Sequence, residues 1–174
     1  DVDLVVDVAG YFPSGSGYQP LTPSRALRRT QVGTEGVVTV PVLGRGGVPS
    51  AGVESVVVNL TAVQPSETGW LTAWAAGTAR PWVSNVSYRS GRTVAGLAVA
   101  KVGADGSIAV FSRRPSGVIV DVVGWVPSGA PPTAVTPARL MRSSMGAGTT
   151  TTVQVTGRAG VPASGVRAAL VNVT

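Results

Sequence analysis

Val118-Ile119-Val120-Asp121-Val122-Val123-Gly124-Trp125-Val126-Pro127-Ser128-Gly129 is the stretch on which the fold turns. Its β-branched residues favour an extended backbone, it is apolar on both faces for several residues, and Pro-Ser-Gly ends it. A strand of this kind belongs in the middle of a sheet or under a neighbouring layer. The last nine residues of the stretch, from Asp121, have already occurred once, as Asp7-Val8-Ala9-Gly10-Tyr11-Phe12-Pro13-Ser14-Gly15, at an offset of 121 − 7 = 114. The recurrence continues outward. Leu21-Thr22-Pro23-Ser24-Arg25 returns as Val135-Thr136-Pro137-Ala138-Arg139, and Gly44-Arg45-Gly46-Gly47-Val48-Pro49 returns as Gly157-Arg158-Ala159-Gly160-Val161-Pro162. Asn59-Leu60-Thr61 matches Asn172-Val173-Thr174 at an offset of 172 − 59 = 113. Self-similarity at a long, nearly constant period is the mark of tandem repeats, and repeated modules are usually built for spacing and surface.

Read against this period, the chain divides at two small, Pro/Gly-rich connectors, residues 13–19 and 127–132. Residues 1–12 read as the last strand of a preceding copy, 20–126 as one complete copy, and 133–174 as the first part of the next. The start inside a strand-like run, without Met or a basic leader, reads as a piece of a longer chain. Within the complete copy, seven Val- and Thr-rich runs alternate with turn residues: 36–42, 53–63, 69–75, 82–88, 93–102, 107–112 and 118–126. No segment carries helical periodicity. The spacing predicts an all-β fold, an antiparallel β-sandwich of immunoglobulin-like size, with a closed barrel as the nearest competitor. The clearest hairpin signal is Ala98 to Phe111, where Asp105-Gly106 offers a positive-φ turn between two β-prone runs.

Composition narrows the function. The chain is 44% hydrophobic and 13% charged, with 23 Gly and 13 Pro, which is neither disordered nor collagen-like. No apolar run approaches the length of about 18 residues that a membrane helix needs, so no membrane insertion is expected. Cys and His are both absent, which removes thiol chemistry, the commonest neutral-pH base and the commonest transition-metal ligands. The net charge of +6 raises the question of nucleic acid, but the arginines are dispersed, as in Arg28-Arg29 and Arg113-Arg114, without a phosphate track. Heavy use of arginine over lysine reads as the codon bias of a GC-rich genome rather than as a binding patch. No nucleic-acid partner is expected.

Catalysis has little to stand on. None of the eight acids forms a pair with dyad spacing, no Gly-x-Ser-x-Gly elbow occurs, and Gly44-Arg45-Gly46-Gly47 reads as a turn. Asp1-Val2-Asp3 lacks the Gly-spaced oxygen-rich loop of a calcium site. Neither cofactor nor metal is expected, and Asn59-Leu60-Thr61 reads as strand rather than glycosylation site. Two clusters remain. Asp121 and its counterpart Asp7 interrupt apolar runs and call for partners; Arg25 and Arg139 of the repeated Thr-Pro-x-Arg element fit that role. Trp70 and Trp74 share one face of an extended strand, with Arg80 and Trp82 close behind, which would make a flat platform for sugar rings. The competing account has Trp70 and Trp74 filling the core or sealing a junction between repeats.

The order of these elements resembles a repeat of large secreted and surface proteins of actinobacteria. There a valine-rich strand ending Asp-Val-Val-Gly-Tyr-Phe precedes Leu-Thr-Pro-Ala-Arg, a Gly-Val-Pro turn, an Asn-Val-Thr strand, a Ser-Asn segment and Val-Gly-Ala-Asp-Gly. Here these are Asp7 to Phe12, Leu21 to Arg25, Gly47 to Pro49, Asn59 to Thr61, Ser84-Asn85 and Val102 to Gly106. The resemblance spans essentially the whole chain and implies an extracellular or cell-surface structural or binding module, often beside a hydrolase or peptidase domain, with no catalytic residues to carry over. One position departs: Arg28 and Arg142 stand where an Asp often follows the Thr-Pro-x-Arg arginine. The expectation is a non-enzymatic spacer or building block of a surface or fibrous assembly. Its partners would be other copies or subunits joined by strand pairing; the alternative is a carbohydrate- or cell-wall-binding module using the Trp platform.

Overall fold

The computed structural model describes residues 2–13, 17–82, 84–129 and 133–173; side chains of 2–16, 130–139, Arg167, Leu170 and 172–174 fall outside the description. The expected connectors at 13–19 and 127–132 fall partly on 14–16 and 130–132, which also lie outside it. Eleven strands are present, and no helix among the described residues. In chain order they are β1 (Val2–Pro13), β2 (Gln19–Val32), β3 (Gly36–Pro41), β4 (Val53–Val63), β5 (Gly69–Ala75), β6 (Val86–Tyr88), β7 (Val94–Lys101), β8 (Ser107–Ser112), β9 (Ser116–Pro127), β10 (Thr133–Met145) and β11 (Val166–Val173). They fall into two compact units, Gln19–Gly129 and Asp1–Tyr18 with Ala130–Thr174.

The first of these units is an antiparallel β-sandwich. One sheet has the order β2-β9-β4-β7 and the other β3-β8-β5-β6. The strands that are apolar on both faces, β4 and β9, occupy the two central places of their sheet, where neighbours on both sides complete their backbone ladder. Between the sheets, Val56, Val58 and Leu60 of β4 and Val118 and Val120 of β9 meet Leu71, Ile108 and Val110 of the facing sheet, all at 0% exposure. Each such side chain contributes about 1.5–3 kcal/mol by leaving water. A polar seam closes one end of this core. The Tyr88 hydroxyl meets Ser112 Oγ at 2.9 Å and Arg114 O at 3.1 Å, and Ser112 Oγ meets Ser116 Oγ at 2.9 Å.

Three expectations from the sequence are corrected. Strand β2 is missing from the seven predicted runs because Pro20, Pro23 and its arginines read as non-strand. An edge position accommodates them, since a proline there withholds no ladder hydrogen bond, and the pairing with β9 slips at Pro20/Ser24, Arg25/Leu27 and Leu27/Thr30. Strand β6 begins at Val86 rather than Trp82, because Asn85 takes over the ladder: its N–H donates to Leu71 O at 2.9 Å and its Oδ1 accepts from Ala73 N at 2.8 Å. The Ala98–Phe111 stretch turns tightly at Gly106 (φ +78°) but is not a hairpin, since β7 pairs with β4 while β8 lies between β3 and β5 in the other sheet. Burial explains the crossing: β7 alternates buried and exposed residues as an edge strand does, whereas all six residues of β8 are buried and need cover on both faces.

The second unit has one sheet, of order β10-β1-β11. Among its described side chains Leu140 and Val161 are buried together, with Met141, Val153, Val155 and Val171 packed against them.

Candidate functional site

Alternation along β5 puts Trp70, Thr72 and Trp74 on the face opposite the core residues Leu71 and Ala73. Neither tryptophan belongs to the core; both are half-buried on the outer face of the sheet. The two indoles then part company. Trp74 Nε1 donates to Thr78 O at 3.0 Å, and its ring lines a groove of about 360 Å³ with Pro81, Val99 and Lys101. Trp70 joins a different group: its ring centroid lies 6.5 Å from that of Phe111, which β8 places beside β5 with Phe111 opposite Thr72.

The Arg80 guanidinium sits over the Phe111 ring at 3.8 Å and over the Trp82 ring at 4.8 Å. On the other side Arg113 lies 5.6 Å from the Trp70 ring and pairs with Glu35. The result is a layered run of cations and rings, Arg113, Trp70, Phe111, Arg80 and Trp82, in which each guanidinium faces the negative quadrupole of an indole or phenyl. Its inner member, Phe111, is 3% exposed, and its outer member, Trp82, is 87% exposed. Trp70, Arg80, Trp82 and Ser84 line a cleft of about 240 Å³. The sequence points to Trp70, Arg80 and Trp82, and the fold brings them together; Trp74 stands apart. Phe111, Arg113 and Ser84 escape the sequence reading, because nothing local to β8 shows that it lies against β5.

On the outer face of the other sheet, register aligns Arg25 of β2, Asp121 of β9, Asn59 of β4 and Leu97 of β7 in one row. Arg25 Nε donates to Asp121 Oδ1 at 2.6 Å and Nη2 to Oδ2 at 3.2 Å, a bidentate fork. That hydrogen bond and the carboxylate charge raise the Arg25 guanidinium above its ordinary value. Arg28 joins Arg25 and Asp121 around a shallow depression. In the second unit Asp7 and Arg139 are partners in register across β1 and β10, and Asp7 is opposite Asn172 of β11; the side chains of all three lie outside the description.

The carboxylates of the Gln19–Gly129 unit are all engaged. Glu35, Glu54, Glu67 and Asp121 pair with Arg113, Lys101, Arg114 and Arg25, while Asp105 Oδ1 accepts the Ser107 N–H at 3.0 Å in its turn. No group of three or more potential metal ligands occurs among the described residues. Comparison of the chain with protein-family models, with curated proteins and with solved structures found no match.

Proposed function

We propose that this chain is a non-enzymatic structural module, a spacer or building block of an extracellular or surface assembly, whose copies are joined by pairing of β-strands. One observation carries the reading: β10-β1-β11 repeats the order β2-β9-β4, and from Val6 to Tyr11 it repeats the register as well. Asp7 is opposite Arg139 and Asn172 as Asp121 is opposite Arg25 and Asn59. Val8 is opposite Ala138 and Val171 as Val122 is opposite Ser24 and Val58; Tyr11 is opposite Thr133 as Trp125 is opposite Gln19. Thus β1, at the start of the chain, takes the place between β10 and β11 that β9 takes between β2 and β4. A last strand that seats itself in a remote stretch of the chain is able to seat itself in a neighbouring molecule by the same hydrogen bonds.

The pairing of each described carboxylate of the sandwich with a base or a turn supports a scaffold rather than a reaction centre. The resemblance to actinobacterial surface repeats supports the extracellular setting. Because the chain holds no Cys, an introduced pair reports cleanly. With Val8→Cys and Ala138→Cys, which are register partners in β1 and β10, oxidation at rising protein concentration gives a growing ladder of chain-to-chain disulfides on a non-reducing gel. Monomer cross-linked only within itself at every concentration overturns strand exchange between copies.

A further inference from the structure

Among the described residues Trp82 is the most exposed of the large apolar ones, at 87%, and the Arg80 guanidinium lies over its ring. The exposed ring leaves a flat apolar face open to solvent, backed by a guanidinium. Arg80 lies over two rings at once, those of Phe111 and Trp82, and no described carboxylate pairs with it. Stacking uses the guanidinium face and leaves its in-plane N–H fork, the part that matches a carboxylate, for another partner. The cleft beside it adds the Ser84 hydroxyl and the Trp70 ring.

We propose that Trp82, Arg80, Ser84 and Trp70 form a binding site for glycans that carry uronic acid units. A pyranose ring lies on the open face of Trp82, its carboxylate meets the Arg80 fork, and the Ser84 hydroxyl takes a ring hydroxyl. The site joins one flat apolar contact to one planar anion contact. That combination selects a sugar bearing a carboxylate over a neutral sugar, which lacks the second, and over a plain polyanion, which lacks the first. The inference is independent of strand exchange.

Isothermal titration calorimetry of the whole chain at about 0.15 M salt, where diffuse charge attraction is screened over roughly 8 Å, separates these cases. The probes are polygalacturonate, its fully methyl-esterified form and polyglutamate. Polygalacturonate is expected to bind, with the other two at least about tenfold weaker. Trp82→Ala, which removes an exposed side chain and leaves the core intact, and Arg80→Gln each weaken polygalacturonate by roughly tenfold. Arg28→Gln, the same loss of charge on the other sheet, leaves it unchanged. Equal binding of polyglutamate, equal losses in the Arg80 and Arg28 variants, wild-type affinity in Trp82→Ala, or no binding of polygalacturonate each overturns the proposal.

Discussion

Ala159 has a backbone conformation that L-residues avoid. Its φ is +51°, and its counterpart in the first copy of the turn is Gly46, at φ +57°. Around it the two turns share two bonds: Val48 N to Arg45 O at 2.9 Å matches Val161 N to Arg158 O at 2.8 Å, and Gly44 N to Pro49 O at 3.2 Å matches Gly157 N to Pro162 O at 3.0 Å. The turn therefore imposes its shape on alanine, at a cost of about 1 kcal/mol. Ala159→Gly should raise the denaturation midpoint of its own unit by an amount corresponding to about 1 kcal/mol. The reverse change, Gly46→Ala, is not its mirror image, because a Cβ there would approach Ser24 Oγ to 2.7 Å. It should cost about 1–3 kcal/mol in urea unfolding of the sandwich. Side-chain pairs differ in how far the sequence reveals them. Asp121 announces its need for a base by interrupting a run of valines, and the repeat offers Arg25. The contact of Arg80 with Phe111 has no such signal, since it depends on which strand lies beside β5.

Among the elements, those that the sequence shows best are the ones whose burial is uniform. Strands β4 and β9 are long, valine-rich and central, and composition alone suggests their place. Edge strands are harder to read because water satisfies half of their demands. Strand β2 carries prolines and arginines without penalty, and β7 was expected to fold back on β8 where it instead crosses to the opposite sheet. The link between β7 and β8 closes locally, with Gly103 N donating to Ser107 O at 2.8 Å, but it is tied to the sheet by a contact that no local pattern encodes, Val102 N donating to Glu54 O at 3.0 Å. Gly103 is buried against the backbone of Ala76, and a Cβ at this position would run into Ala76 O. Backbone cannot swing aside as a side-chain tip does. Gly103→Ala should therefore destabilise the sandwich by about 3 kcal/mol or more, seen as a lower midpoint in thermal melts, even though alanine has the better intrinsic backbone entropy.

For the molecule as a whole, strand class and sandwich architecture were legible because period-two patterning and turn residues agree along the entire chain. Which sheet each strand joins was not, since that choice rests on contacts between residues far apart in sequence. The two compact units invite separate perturbation. Val8 of β1 has ladder partners on both sides, Ala138 and Val171, so Val8→Pro should abolish the amide protection of β10 and β11. Protection in β4, β8 and β9 should persist, because these strands belong to the other unit; hydrogen exchange followed by mass spectrometry reads both. One feature of that other unit bears on mechanics. Its first and last strands, β2 and β9, are antiparallel neighbours, and Gln19 at the start of one is opposite Trp125 near the finish of the other. Both chain exits thus leave the sandwich at the same end, and tension applied through them loads the ladder one rung at a time rather than in shear. A module pulled in this way parts by unzipping, at a lower force than one whose terminal strands are sheared along their length.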